Sequence, residues 1–185
     1  TMGGIIIILS IILPTILWSR LDNMYTWVII SSTLFMGFIG FVDDYLKIIK
    51  KISKGLIARY KLIAQVLTGI FVAFMVLNFI DSPKIFIDHN KDYVQEISDT
   101  SISIPFMASN YKSENNINGF LELPKWMYII LVIVVITATS NAVNLTDGLD
   151  GLATGLSAIS ILAMGAIAYA SGRVDFSDYL NILYL

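Results

Sequence analysis

Four polar side chains, Asn141, Asn144, Asp147 and Asp150, recur every third residue in a stretch that reads Asn-Ala-Val-Asn-Leu-Thr-Asp-Gly-Leu-Asp-Gly-Leu-Ala from Asn141 to Ala153. Residues three apart on a helix or tight helical turn are neighbours, so these two amides and two carboxylates form a band along one side. The band follows a run without a single charge from Trp126 onward. Ionised groups at a membrane edge are costly unless they meet a cation, a polar ligand or a water-filled cavity. Gly148 and Gly151 let the backbone turn sharply and a ligand approach it closely. The competing reading is a solvated turn between two membrane helices, with Asp147 or Asp150 capping the second. Four such residues at regular spacing favour the functional reading.

A second constellation lies between Gly37 and Gln65, with Phe41-Val-Asp-Asp-Tyr-Leu-Lys47 and Lys54-Gly-Leu-Ile-Ala-Arg-Tyr-Lys61. Adjacent carboxylates at the end of an apolar helix repel, so Asp43 or Asp44 is expected to face a cation or to hold its proton more tightly. That suits metal binding or a general base. The alternative is a helix end in water, with Lys47 pairing to Asp43 or Asp44 one turn back. The lysines that follow serve equally as topology signals, as anchors to anionic lipid, or as a field that draws phosphates to the carboxylates. Carboxylates, amides and lysines on one face beside lipid are what a transfer between a diphosphate and a lipid phosphate needs, with a divalent cation to bridge the diphosphate oxygens.

The elements that must position these groups are membrane helices. Of the 185 residues 56% are hydrophobic, and mean hydropathy is +0.76; a soluble domain is usually about 45 to 50% apolar. Five segments approach the roughly 20 residues that cross a hydrocarbon core: 2–18, 26–42, 62–80, 126–144 and 151–170. Pro14 is expected to kink or loosen the first. The short connection from Ser19 to Tyr25 makes the first two neighbouring antiparallel helices. With no Cys there is neither a disulfide frame nor a thiolate metal site. The net charge of -2 says little about partners, and no nucleic-acid partner is expected. The opening Thr-Met-Gly-Gly does not look like a signal peptide, and both ends read as internal to a longer protein.

Six of the 12 basic residues fall in the loop 43–61: Lys47, Lys50, Lys51, Lys54, Arg59 and Lys61. The positive-inside rule makes this loop cytoplasmic. Counting crossings then places the Asp43/Asp44 pair, the Asn141–Asp150 band and the start of the chain on the cytoplasmic side, and the loop 81–125 outside. That loop carries seven acidic and four basic residues; short alternating runs such as Ser101 to Phe106 suit a small hairpin. His89, the only histidine, reads as a solvated loop residue, because it has no second ligand at metal spacing. The fold class is therefore an all-α polytopic membrane protein of about five helices, with one long extracytoplasmic loop.

These motifs resemble the phospho-N-acetylmuramoyl-pentapeptide transferase family, within the polyprenyl-phosphate N-acetylhexosamine-1-phosphate transferases. The resemblance rests on Phe41–Lys47, Lys54-Gly-Leu with Ala58-Arg-Tyr-Lys-Leu62, and Asn141–Ala153, and covers nearly all the chain outside the 81–125 loop. Thr1-Met-Gly-Gly4 is similar to the end of the family's Pro-Thr-Met-Gly-Gly motif, without its Pro. The thirteen-residue motif is highly specific; the Asp-Asp pair alone is much less so.

The resemblance implies a bacterial inner-membrane enzyme, with its site on the cytoplasmic face. In that reaction undecaprenyl phosphate attacks the β-phosphate of UDP-N-acetylmuramoyl-pentapeptide, releasing UMP and forming the first lipid intermediate of peptidoglycan. It implies Mg2+ as cofactor, Asp43 as base or lipid-phosphate contact, and Asp44 as its supporting carboxylate. Lys47 and Lys51 would lie near the phosphates and Asn144 on the metal. Thr1, Asn141, Asp147 and Asp150 would contribute to substrate binding. Homodimerisation is compatible with it. The family has about ten membrane helices, a further magnesium-binding Asp and a histidine-rich motif. This chain has none of the last two and room for five helices, so on its own it is expected to be inactive. A sister transferase using UDP-N-acetylglucosamine is the nearest alternative; Leu145-Thr146 and the Ala58–Lys61 stretch favour the muramoyl enzyme. A cation- or proton-coupled transporter is a third, disfavoured because its sites usually lie near the bilayer midplane.

Overall fold

The computed structural model describes residues 3–51, 55–80, 84–88, 93–98, 100–103, 120–147, 151–173, 175–176 and 180. Five helices dominate: α1 (Gly3–Trp18), α2 (Met24–Ile48), α3 (Ala58–Phe79), α4 (Lys125–Thr146) and α5 (Leu152–Ser171). The last four are long and apolar enough to cross a membrane. At 16 residues, α1 is about 24 Å long against a hydrocarbon core of roughly 30 Å. It runs through Pro14 as one helix.

The chain clusters into two units, residues 1–80 with 129–141, and residues 81–128 with 142–185. In the first, α1 packs on α2 and α2 on α3. Small residues set the approach: a Cβ on Gly37 would collide with the Ile8 side chain, and one on Gly69 would lie 2.8 Å from the Ile133 Cα of α4. Thr68, buried in α3, donates from Oγ1 to the Ala64 carbonyl at 2.8 Å and to the Met36 sulfur of α2 at 3.3 Å. The outward faces remain apolar, with Ile6, Leu17 and Trp18 all exposed, as expected of helices whose surroundings are lipid or further helices. The first connection is short and ordered: the Asn23 side chain caps α2 by accepting from the Tyr25 N–H at 2.9 Å, and the Trp27 indole donates to the Leu21 carbonyl.

The second unit holds α5 and two antiparallel strand pairs. Strand β1 (Lys84–Asp88) pairs with β2 (Tyr93–Ile97), and β3 (Ser101–Ser103) with β4 (Phe120–Glu122). The antiparallel pair β1–β2 is the small hairpin expected in the 81–125 loop, placed outside the run Ser101–Phe106. The first three residues of that run do form a strand, but they pair with a segment on the far side of the loop, and the Leu123 N–H donating to the Thr100 carbonyl closes that pair. His89 lies outside the described residues. Arg173, just after α5, stacks over the rings of Tyr169 and Phe176 at 5.8 and 5.4 Å, an amphipathic group of the kind that anchors a helix end at a membrane interface.

Candidate functional site

Helix α2 does not stop where its apolar run stops. It continues six residues past Val42 to Ile48, so Asp43 and Asp44 stand on the helix, one to two turns before its end. With 25 residues, α2 is about 37 Å long, more than the roughly 30 Å of hydrocarbon. The end that carries the charges can therefore reach water. Helix α3 likewise begins at Ala58, four residues before the apolar run, which brings Arg59 and Lys61 onto its first turn.

Asp43 is the centre of this region. It is 7% exposed, and three donors converge on it. The Lys47 ammonium lies 2.6 Å from Oδ2, the Lys61 ammonium 2.9 Å from the same oxygen, and the Leu56 N–H donates to Oδ1 at 2.6 Å. The expected Asp43–Lys47 pairing one turn apart is present, but the other two contacts are tertiary. An ionised carboxylate is acceptor-only at both oxygens, whereas a proton on either would face these donors, so the arrangement favours the charged form. The two ammonium nitrogens are within about 5.5 Å of each other, the sum of their distances to Oδ2, and only the carboxylate between them offsets their repulsion.

The turn that makes this possible depends on one glycine. Gly55 has φ +57°, and a Cβ there would lie 2.5 Å from both Asp43 Oδ1 and Lys47 Cε. The backbone thus lies against the carboxylate, as no other residue would allow. Lys51 also adopts positive φ, at 52°, a conformation that costs a non-glycine residue roughly 1 to 3 kcal/mol; its side chain is exposed. Asp44 has no salt bridge among the described residues.

The other constellation is built differently. Asn141 and Asn144 both lie on α4, three residues apart, while Asp147 is its C-cap, with its N–H donating to the Val143 carbonyl. Asn144 and Asp147 are exposed, and no hydrogen bond or ion pair holds either side chain among the described residues. Gly151 takes the left-handed conformation, φ 83°, at the N-cap of α5, where there is no side-chain cap. Asp147 therefore ends α4 rather than capping α5. Thr1 and Asp150 lie outside the described residues.

Asn141 is engaged. Its Nδ2 donates to Gln65 Oε1 at 3.0 Å and to the Thr137 carbonyl at 2.9 Å, and Gln65 Nε2 donates to Asn141 Oδ1 at 3.3 Å and to Ser140 Oγ at 3.1 Å. Gln65 was not picked out among the candidate residues in the sequence. The signal for it was a carboxamide within the apolar run of α3, one turn after Lys61.

The donor chemistry can be tested against magnesium. No group of three or more His, Cys, Asp or Glu that could hold a metal occurs among the described residues, and Asp43 already faces two ammonium groups. The exposed Asn144 amide is a hard oxygen donor, and magnesium commonly keeps one or two protein ligands, with substrate phosphates and water completing its shell. Among the described residues, Asn144 is therefore the one expected ligand left with an open oxygen donor. A cavity of about 290 Å³ between α2 and α3, lined by Ser31, Ser32, Phe35, Leu67, Thr68 and Phe71, carries no charged group and does not suit a nucleotide.

The sequence model of glycosyl transferase family 4 matches residues 26–185. The phospho-N-acetylmuramoyl-pentapeptide-transferase of Flavobacterium johnsoniae is 42% identical, over 100% of this chain and 50% of its own length. That of Chlorobium phaeobacteroides is also 42% identical, with 44% of its length covered, and that of Porphyromonas gingivalis is 40% identical, with 48% covered. The chain thus spans about half the length of the curated relatives it matches.

Proposed function

The chain belongs to glycosyl transferase family 4, and from that premise we propose that it is part of a multi-pass membrane phospho-sugar transferase. Its parent protein moves phospho-N-acetylmuramoyl-pentapeptide from the UDP conjugate to undecaprenyl phosphate and releases UMP. The observation that carries this reading is the cationic pair Lys47 and Lys61, held on one buried carboxylate at the charged end of an otherwise apolar helix. Such a pair is suited to phosphate oxygens that arrive beside lipid.

In this reading the loop 43–61 faces the cytoplasm of a bacterial cell, as its lysines require. Asp43 keeps the two ammonium groups together and pre-oriented, so they need not reorganise as charge develops on the transferring phosphate. Both its oxygens accept hydrogen bonds in this arrangement, so a role as base requires one of them to be released. Asp44, beside it and without a salt bridge among the described residues, supports the same region; Lys51 adds positive field. Asn144 would be a magnesium ligand, and the ion, when bound, would offset charge on the diphosphate as UMP departs. Asp147, with Asp150, would line the nucleotide-sugar pocket. Because the chain spans half of its relatives, the isolated chain is expected to be inactive.

The test is product analysis with the full-length parent protein in detergent, offered undecaprenyl phosphate with UDP-N-acetylmuramoyl-pentapeptide or with UDP-N-acetylglucosamine. Mass spectrometry of the lipid fraction should show the muramoyl-pentapeptide diphosphate lipid. A lipid carrying only N-acetylglucosamine would move the assignment to the sister transferase.

A further inference from the structure

Both donor hydrogens of two facing side chains, Gln65 on α3 and Asn141 on α4, are spent within the protein. Gln65 is 6% exposed within a helix of high hydropathy, where an unpaired carboxamide is costly. It pairs reciprocally with the Asn141 carboxamide, while each amide uses its second hydrogen on α4, Gln65 on Ser140 Oγ and Asn141 on the Thr137 carbonyl. A carboxamide has two donors and one acceptor oxygen, so Asn141 has no donor left for a ligand. One turn beyond Gln65, Gly69 lies against the Ile133 backbone so closely that a Cβ would be 2.8 Å from its Cα. Two contacts on one face, a backbone approach and a polar pair joined by three hydrogen bonds across the helices, fix the rotation of one helix against another.

One turn before Gln65 on the same helix stands Lys61, which donates to Asp43. Helix α3 therefore grips α2 at Asp43 through its first turn and α4 at Asn141 through its second. We propose that Gln65 is a positioning residue whose pairing with Asn141 sets the rotation of α4, and hence the presentation of Asn144 three residues on, and that Asn141 acts in this pair rather than on substrate. The inference rests on the transferase reading and names what orients its nucleotide-sugar end.

The experiment is a side-chain exchange in the full-length parent protein. Gln65→Asn shortens the pair by one methylene, Asn141→Gln lengthens it by one, and the double variant restores its span. KM for UDP-N-acetylmuramoyl-pentapeptide, KM for undecaprenyl phosphate, kcat and Tm are measured for all four proteins, with Gln65→Leu as a fifth. Each single exchange should raise KM for the nucleotide sugar about fivefold, and Gln65→Leu about tenfold, the scale of a lost buried hydrogen bond. KM for the lipid phosphate should stay within about twofold, and the double variant should return to within about twofold of wild type, a coupling that independent sites do not show.

Variants that lower Tm while leaving KM for the nucleotide sugar unchanged would overturn the proposal, because the pair would then be structural only. A double variant whose KM is the product of the singles would overturn it equally. A wild-type protein that transfers nothing from the muramoyl conjugate strikes instead at the transferase reading, so the two failures are told apart by the first protein in the series.

Discussion

The end of α2 and the end of α4 both bring carboxyl and amide groups to the edge of an apolar helix, yet they treat them in opposite ways. Asp43 is buried and takes three donors, whereas Asn144 and Asp147 are exposed and, among the described residues, held by nothing beyond their backbone. A carboxylate satisfied within the protein is a fixed structural charge, and its value lies in what it holds in place. Exposed carboxylate and amide oxygens can still gain by meeting a ligand or ion. On the proposed function, the first region is a preset cationic cradle and the second a receiving surface. Variants in each should fail in different ways.

The largest effect is expected at the cradle. Asp43→Asn removes the charge that keeps Lys47 and Lys61 together, and kcat for UMP release should fall by roughly a hundredfold to a thousandfold, the cost of removing one preorganised electrostatic group. A loss confined to KM would show that Asp43 belongs with the receiving surface instead. The next effect is expected there. Asn144→Ala should raise the magnesium concentration for half-maximal rate by about tenfold, a shift typical of a weakened metal site, with Tm unchanged because the side chain holds no partner among the described residues. A Tm loss without a magnesium shift would place Asn144 in the structural class.

Smaller again is Gly55→Ala. Its φ of +57° costs a Cβ-bearing residue about 1 to 2 kcal/mol, and the Cβ would press on Asp43 and Lys47, so stability should drop and kcat should fall by about tenfold. Intact kcat with lowered stability would show that the cradle tolerates displacement. Least affected should be Arg20→Ala. Arg20 and Asp22 form an ion pair 3.6 Å long whose side chains are 86% and 74% exposed, and such pairs contribute little. Unchanged kcat and Tm there would show that burial and convergence, rather than charge pairing as such, make Asp43 matter.

Much of the scaffold was legible because lipid demands long apolar runs, and those runs are visible in the chain. All five segments became helices. Their ends were less legible: α2 was expected to stop at Val42 and runs to Ile48, because a change from apolar to charged residues marks where a helix leaves the apolar layer, not where its backbone bonding ends. The same reasoning missed the start of α3 at Ala58. Asp43 stood out by residue type, and its pairing with Lys47 by helical spacing. Its bonds to Lys61 and Leu56 did not, since they depend on a glycine turn that folds 18 residues back on themselves. Gln65 was overlooked because scattered polar residues in an apolar helix show no periodicity to announce any one of them. The pairing of β3 with β4 was hidden by the length of chain between the strands.

The central claim is that the lysines gathered by Asp43 serve phosphate transfer. Its most direct test is magnesium-dependent UMP release by the full-length parent protein with undecaprenyl phosphate and UDP-N-acetylmuramoyl-pentapeptide, comparing wild type, Asp43→Asn, Lys47→Met and Lys61→Met. UMP release by wild type and loss of kcat in all three variants are expected, with Asp43→Asn at least as impaired as either lysine variant, because it disperses both. Wild-type kcat in Asp43→Asn, with folded protein confirmed by an unchanged Tm, would contradict it.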